Sequence, residues 1–226
     1  MHDIAYILRE DIDGNELKYS LRSLENLPHG RVWFFGGCPK WATPDEWVHF
    51  QQVGESKSDK ATSTFKAICE SGISDSFYLF NDDFFVMQPM DDLPYMFHAE
   101  TLSEHAQTLL KKSPWSKYAP RLEAASKELS NAGYSELNYE LHVPMLFEKA
   151  KAQEAFERFR SPMIRSIYGN YYGVGGVQAD DCKIYELAKG RFDRYKLLST
   201  NDTTFRAGAV GTYIRQQFKK QSRYES

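Results

Sequence analysis

The first 35 residues alternate between apolar and amphipathic segments, and this order constrains the fold more than any other feature. Asp3–Leu8 is a short apolar run that predicts a buried strand. From Asn15, which we expect to cap a helix, leucines recur at helical spacing until Pro28 stops the pattern. Residues 31–35 then predict a second strand. A strand, a helix and a strand joined by short connections indicate a βαβ unit, and therefore a mainly parallel sheet.

The remaining segments extend this pattern and then become mostly helical. Residues 76–80 form a strongly apolar run that predicts a buried strand, and Ser58 is expected to cap the helix before it. Further strands are expected at 48–53 and 194–198, helices at 101–112, 120–131, 145–160 and 207–218, and a loop rich in glycine and tyrosine at 168–176. Together the segments predict one α/β domain over residues 1–226, with a Rossmann-like, mainly parallel sheet and a helical insertion at about 95–160.

Composition excludes several classes of protein. With 42% hydrophobic and 26% charged residues, the 226-residue chain has ordinary globular composition, which excludes global disorder. No apolar run approaches the roughly 20 residues of a membrane span. The first apolar run is short and bracketed by Asp3 and Arg9, unlike a signal peptide. The three cysteines are widely spaced and predict no disulfide framework, so we expect a cytoplasmic protein.

Charge is unevenly distributed along the chain although the formal net charge is only −3. Residues 67–110 contain eight acidic residues and no lysine or arginine. Residues 111–127 and the tail from Arg206 are predominantly basic. An acidic centre flanked by basic segments suits a site that holds a divalent cation together with a polyanion, the alternative being a set of solvated faces.

The sharpest chemical signal directly follows the apolar run at 76–80. Here Asn81, Asp82 and Asp83 come in succession, and apolar residues then resume at once. In open α/β sheets, ligands bind at the carboxyl ends of the strands. Two adjacent carboxylates repel each other unless a cation or a proton compensates them, and Mg²⁺ and Mn²⁺ prefer carboxylate ligands. The motif therefore predicts a divalent-metal site at Asp82 and Asp83, the alternative being a polar turn at the end of a strand.

Two further segments carry candidate catalytic groups. His142 lies in an apolar setting two residues before a proline, where it could be a third metal ligand, a general base or a structural histidine. Asp180 and Asp181 follow a glycine-rich segment. One of these aspartates could be the base that deprotonates an acceptor hydroxyl, the alternative being a helix N-cap at Asp180. The other five histidines stand in no comparable setting.

Three segments together resemble the Stealth family of sugar-1-phosphate transferases. Residues 16–24 resemble the start of that family's second conserved region, and residues 77–85 resemble its acidic motif. His142, Val143 and Pro144 resemble the opening of the third conserved region. The order and spacing of these segments agree with those of the family over residues 16–160. The family's first region is matched only in part at 6–14, and its fourth region is matched at most weakly at 201–202. The compact chain also resembles short phage proteins described as glycosyltransferases.

These resemblances imply a GT-A-like sheet and a glycosyltransferase that uses a nucleoside-diphosphate sugar with Mn²⁺ or Mg²⁺. On this interpretation Asp83 holds the metal and the diphosphate, and His142 is a metal ligand or a base. Asn81 and Asp82 then hold the ribose or support the metal. A diphosphate also needs cationic partners, and the candidates for this role are Arg9, Arg22, Lys60 and Arg165.

Some phage transferases of this size glycosylate hydroxymethylated pyrimidines, so duplex DNA carrying hydroxymethylcytosine is the expected acceptor. The basic stretches would follow the phosphates, and Tyr171, Tyr172 or Trp115 would stack on a base flipped out of the duplex. Two alternatives remain open. One is a Stealth-type sugar-1-phosphate transferase that acts on a glycan, and the other is a non-catalytic module that binds sugar or nucleic acid.

Overall fold

The computed structural model describes all 226 residues and contains nine strands and eight α-helices. The strands are β1 (Asp3–Leu8), β2 (Val32–Gly36), β3 (Glu46–Val48), β4 (Ser76–Asn81), β5 (Phe84–Val86), β6 (Met96–Phe97), β7 (Met145–Glu148), β8 (Val177–Gln178) and β9 (Leu197–Ser199). The helices are α1 (Asn15–Ser23), α2 (Lys57–Glu70), α3 (Leu102–Lys112), α4 (Ala119–Asn131), α5 (Lys149–Arg158), α6 (Ile164–Tyr171), α7 (Asp202–Ala207) and α8 (Ala209–Gln217).

Five strands form the central sheet, in the order β3-β2-β1-β4-β7. The first four strands of this order are parallel to one another, and β7 runs antiparallel to β4. The expected α/β class and mainly parallel sheet are therefore confirmed, and the order is compatible with a Rossmann-like fold. Because the chain moves outward from β1 in both directions, the carboxyl ends of β1 and β4 flank a topological switch point, where α/β sheets bind ligands.

The sheet is buried on both faces, as parallel sheets generally are. Ile4 and Tyr6 belong to a buried cluster that includes Leu21 of α1. Ala5, which points to the other face, belongs to a second buried cluster with Phe65 of α2. Burial on both faces explains why β1, β2 and β4 are nearly continuous apolar runs and could be located from the sequence.

The helix expected over residues 145–160 is wrong in its first part, because Met145–Glu148 forms β7. This strand pairs with β4, where Phe147 lies opposite Phe77, and α5 begins only at Lys149. Phe147 is fully buried, with its ring centroid 4.8 Å from that of Phe65. A pairing with a strand about 70 residues away leaves no trace in local periodicity, so the sequence pattern could not distinguish the two structures.

The loop expected over residues 168–176 is also wrong in its first part, because α6 extends to Tyr171. Gly169 lies inside this helix, where an added Cβ atom would come within 2.6 Å of the Tyr139 ring. This glycine therefore permits close packing of a helix. The turn follows at 173–176, where three glycines have positive φ angles.

Several element boundaries differ from the expected ones. Ser56, rather than Ser58, caps α2 in a capping box with Asp59, and Gly14, rather than Asn15, precedes α1 with φ 76°. The helix expected over 207–218 is α8, which begins two residues later at Ala209, and the short helix α7 that precedes it was not expected. The strand expected over 48–53 is wrong beyond its first residue, since β3 ends at Val48.

Helices α3 and α4 pack against each other and against α5 and α6 around a separate buried cluster. Its members include Leu102, Leu122, Leu129, Ala155 and Ile167. None of the eight helices has the length and hydropathy of a transmembrane span.

Arg22 of α1 forms a buried ion pair with Glu225, near the C-terminus. Its Nε and Nη2 atoms donate to the two carboxylate oxygens of Glu225 at 2.8 and 2.7 Å, and the two side chains are only 10% and 2% exposed. Because removing one member of a buried ion pair strands the other, Arg22→Ala should lower the free energy of unfolding by about 3 kcal/mol in urea titrations. Arg191→Ala is the control, since the Arg191–Asp193 pair is exposed and should contribute under about 1 kcal/mol. Equal stability of the two variants would contradict the role given to Arg22.

Candidate active site

The predicted acidic motif lies at the switch point of the sheet. Asn81 ends β4, paired with Ile7 of β1, and Asp82 and Asp83 follow it. Burial and the charge of Asp83 raise the pKa of Asp82 to about 7, against the opposing charge of Arg9. Arg9, which follows β1, is thus close enough to act on this carboxyl group. The motif and one of the four predicted cationic residues share one edge of the sheet.

Asp83 already has a cationic partner, which no pattern in the sequence indicates. Lys183 donates through Nζ to Asp83 Oδ2 at 2.8 Å, and both side chains are only 14% exposed. Ser199, at the end of β9, donates to the same oxygen at 3.3 Å. Lys183 therefore compensates the Asp83 carboxylate, and a divalent cation at Asp83 would have to share or replace this contact.

Two more carboxylates, Glu16 and Asp202, lie close to the motif. Glu16 is in the first turn of α1 and is buried, and it accepts a hydrogen bond from Thr200 Oγ1 at 2.5 Å. Burial raises the pKa of Glu16 well above its usual range, and the charges of Asp83, Asp82 and Asp202 add to the shift. Four acidic groups therefore converge on the switch point.

Glu16 should make the stability of the fold depend on pH. A carboxyl pKa that is higher in the folded than in the unfolded chain stabilises the fold below the unfolded value, and that contribution is lost as pH rises through the folded value. The wild type should therefore lose stability between about pH 5 and 9. Glu16→Gln keeps an acceptor for Thr200 without the charge and should be more stable than the wild type at pH 9 by about 1 kcal/mol, or roughly 2–4 °C in Tm. Parallel Tm profiles for the two proteins would rule out this role.

His142 and Asp181 form a hydrogen-bonded pair. The His142 Nδ1 atom lies 2.6 Å from Asp181 Oδ2, and the His142 amide donates to Asp181 Oδ1 at 3.2 Å. Burial of Asp181 opposes its ionisation, but the hydrogen bond and charge of His142 outweigh burial, so the pKa of Asp181 is lowered. With Nδ1 engaged and the imidazole about one-third exposed, Nε2 is left to exchange a proton with a bound molecule.

The short segment 181–183 links this pair to the acidic motif. Asp181 orients His142, and Lys183, two residues later, contacts Asp83. The Lys183 amide also donates to Asp181 Oδ1 at 3.2 Å. However, Asp82, Asp83 and His142 do not form a group whose ligand atoms all lie within 4.8 Å of one another. The structure therefore places His142 beside the carboxylates and not among them as a third metal ligand.

Arg165 brings a second buried cation to this side of the sheet. Its Nε and Nη2 atoms are inaccessible to solvent and have no hydrogen-bond partner, and its guanidinium lies 5.7 Å from the centroid of the Phe84 ring. Burial lowers the pKa of Arg165, against the charges of Glu140 and Asp83. Buried arginine donors that lack partners are suited to bind an anion.

The other predicted residues lie outside this arrangement. Arg22 is committed to Glu225, and Lys60 is exposed on α2 with no ionic partner. Asp180 is exposed, without a hydrogen-bond partner, and no helix begins directly after it, so the expected helix cap is wrong. Nothing in the structure therefore supports a phosphate contact for Arg22 or a catalytic role for Asp180.

Two histidines outside the predicted set also have an unexpected environment. His98 and His105 stack on each other beside Glu100, although the sequence showed nothing notable around either of them. His98 directly follows β6, and His105 lies near the start of α3, seven residues later in the chain.

Comparison with known proteins gives no independent indication of function. No protein-family model matches the chain, and no curated protein matches it. Function must therefore be inferred from the chemistry of the site itself. The site combines four carboxylates, two buried cations and an aspartate–histidine pair near the carboxyl ends of the parallel strands β1 and β4.

Proposed function

We propose that the protein is a metal-assisted glycosyltransferase that uses a nucleoside-diphosphate sugar. The observation that carries this proposal is that residues 181–183 contact both the acidic motif and His142: Lys183 binds Asp83, and Asp181 binds His142. On one side lie Asp82 and Asp83, which suit a hard divalent cation and the phosphates it accompanies. On the other lies an oriented histidine that can accept a proton.

The donor set at the acidic motif fits Mn²⁺ or Mg²⁺. Asp83 and Asp82 would hold the ion together with water or phosphate oxygens, because Glu16, like His142, does not form a group with them within 4.8 Å. When bound, such an ion supplies positive charge that neutralises a diphosphate leaving group. Lys183, displaced from Asp83, would offer its ammonium to the phosphates, and Arg9 and Arg165 are the other cations near this edge.

The His142–Asp181 pair would act on the acceptor. As the acceptor oxygen attacks the anomeric carbon of the sugar, its hydroxyl proton passes to His142 Nε2. The bond between the anomeric carbon and the diphosphate oxygen breaks, and its electron pair leaves with the nucleoside diphosphate. Asp181 holds the imidazole in the required orientation and stabilises the positive charge it acquires.

The sheet order supports a GT-A-like arrangement as part of this proposal. A parallel sheet with a switch point between β1 and β4 suits nucleotide binding, and the acidic motif follows β4 directly. Asn81 and Asp82 then face the ribose side of the nucleotide.

A second candidate is transfer of the sugar together with its phosphate, and the environment of Arg165 favours it. Two buried guanidinium nitrogens without partners suit the extra charge that develops on phosphoryl oxygens. In that reaction the acceptor oxygen attacks phosphorus and a nucleoside monophosphate leaves, whereas sugar transfer releases the diphosphate. The identity of the released nucleotide therefore separates the two reactions, and a non-catalytic module would release neither.

Modified duplex DNA remains the proposed acceptor. Lys111, Lys112 and Lys117 are exposed around Trp115, which is 90% exposed and available to stack. Tyr171 and Tyr172, by contrast, donate their hydroxyls to Glu154 and pack into the protein. In the tail, Arg206 and Arg223 pair with Asp13 and Asp45.

We therefore propose that DNA binds at the turn between α3 and α4. The double variant Lys111→Glu/Lys112→Glu should weaken salt-sensitive DNA binding more than Lys219→Glu/Lys220→Glu.

Calorimetry with UDP, GDP and CDP tests the donor part of the proposal. At least one nucleotide should bind, and Mn²⁺ should tighten its binding. The dependence on Mn²⁺ should disappear when Asp83 is changed to asparagine. Nucleotide affinity that is the same with and without Mn²⁺ in the wild type would contradict a metal site at Asp83.

A further inference from the structure

Three metal-ligating side chains cluster where β6 ends and α3 begins. One ring nitrogen of His98, one of His105 and one carboxylate oxygen of Glu100 lie within 4.8 Å of one another. The two imidazole rings are stacked, with centroids 4.8 Å apart and planes inclined by only 9°. All three residues are partly exposed, so an ion could reach them from solvent.

Neighbouring groups donate hydrogen bonds to the Nδ1 atoms of both imidazoles. The Glu100 amide donates to His98 Nδ1 at 3.0 Å, and Asn138 Nδ2 donates to His105 Nδ1 at 2.8 Å. The orientation of the Asn138 amide is fixed, because its Oδ1 accepts from the Glu140 amide at 3.0 Å. Both Nδ1 atoms are therefore acceptors and carry lone pairs.

The Glu100 carboxylate is oriented by a hydrogen bond from outside the cluster. Thr108 Oγ1 donates to Glu100 Oε1 at 2.7 Å, while Oε2 lies 3.9 Å from His98 Nδ1. Hydrogen bonds of this kind commonly fix ligating carboxylates in metal sites. The distance between Oε2 and Nδ1 is slightly longer than that between two atoms bound to the same Zn²⁺ at about 2 Å each.

We propose that His98, Glu100 and His105 form a site for one divalent transition-metal ion, with Zn²⁺ the best match. Two imidazoles and one carboxylate are donors that Zn²⁺ accepts, whereas the all-carboxylate set at Asp82 and Asp83 suits Mg²⁺ or Mn²⁺. The ion replaces the two N–H donors at the Nδ1 atoms. Because the protein supplies three ligands, one coordination position stays open to water or to an oxygen of a bound molecule.

Backbone hydrogen bonds connect the strand next to this site with the segment that leads to Asp181. Phe97, next to His98, pairs with Gln178, and the Ala179 amide donates to the Phe97 carbonyl at 2.9 Å. A bound ion ties the start of α3 to the end of β6, which is hydrogen-bonded to this segment. Zn²⁺ should therefore raise the Tm of the chelator-treated protein, because it binds the folded chain preferentially.

Titration of the chelator-treated full-length protein with Co²⁺ tests the site without any measure of activity. Co²⁺ takes the place of Zn²⁺ and reports its ligands through visible absorption. The wild type should develop this absorption up to one equivalent, and Zn²⁺ should abolish it by displacing Co²⁺. His105→Ala should weaken Co²⁺ binding by at least about 100-fold.

Matched variants distinguish this site from the others. His49→Ala removes an exposed histidine elsewhere, Asp83→Asn removes the acidic-motif ligand and His142→Ala removes the other candidate histidine, and all three should keep the absorption. If His105→Ala fails to fold by circular dichroism, Glu100→Gln decides, because it retains a partner for Thr108 and should still weaken binding about tenfold. The proposal is wrong if the wild type shows no absorption, if both cluster variants retain it, or if His142→Ala alone removes it.

Discussion

Changing Asp83 to asparagine should abolish transfer, lowering turnover by at least about 10³-fold. The substitution keeps the size of the side chain and removes the charge that would hold the metal. It also leaves Lys183 without its ionic partner in a largely buried position, so the free energy of unfolding should fall by about 2–3 kcal/mol. Initial rates of nucleotide release measure the first effect and urea titrations measure the second.

The double variant Asp83→Asn/Lys183→Met separates these two effects. Removing the lysine charge should restore most of the lost stability, since a stranded charge and not the missing carboxylate is the main cost. Turnover should stay as low as in the single variant. A stable double variant with wild-type turnover would show that Asp83 is a structural member of an ion pair and not a metal ligand.

Changing His142 to alanine should lower turnover by about 10²–10⁴-fold, the range typical of a lost acid–base group. Stability should change little, because the imidazole is about one-third exposed and Asp181 keeps hydrogen bonds from two backbone amides. Turnover and Tm are measured on the same preparation. Near-normal turnover with a large fall in Tm would identify His142 as a structural histidine.

Asp181→Asn tests whether Asp181 acts through His142. It removes the charge that orients the imidazole and stabilises its protonated form, so turnover should fall by about 10²-fold or more while nucleotide affinity is kept. The double variant His142→Ala/Asp181→Asn should be no slower than His142→Ala, because the two side chains act as a unit. His49→Ala removes an exposed histidine to which the proposed mechanism gives no role, and it should retain wild-type turnover.

The strands of the parallel core could be predicted because strands buried on both faces are continuous apolar runs in the sequence. β1, β2 and β4 are covered on both faces, so each is a nearly continuous apolar run that needs no partner to be recognised. β7 could not be separated from α5, since its apolar residues become a strand only by pairing with β4. Gly169 led to the wrong prediction of a loop for a similar reason. The Tyr139 ring that requires a glycine at this position lies 30 residues earlier in the chain.

The candidate site could be predicted only where its residues follow one another in sequence. Asp82 and Asp83 stood out as adjacent carboxylates after a strand, and His142 stood out through its resemblance to the Stealth family. Lys183 and Asp202 become neighbours of Asp83 only through the packing of β9 and α7, and no local pattern marks them. No local pattern marks the stacking of His98 on His105 either, although the two residues are close in the sequence.

The most direct measurement is the nucleotide released when the protein is incubated with UDP-, GDP- and CDP-sugars, Mn²⁺ and hydroxymethylated DNA. The proposed function predicts that at least one donor yields its nucleoside diphosphate, that the sugar appears on the modified nucleoside after digestion, and that Asp83→Asn/Lys183→Met releases nothing. Release of the monophosphate would instead support transfer of the sugar phosphate. Folded wild-type protein that releases no nucleotide from any donor would contradict the proposed function.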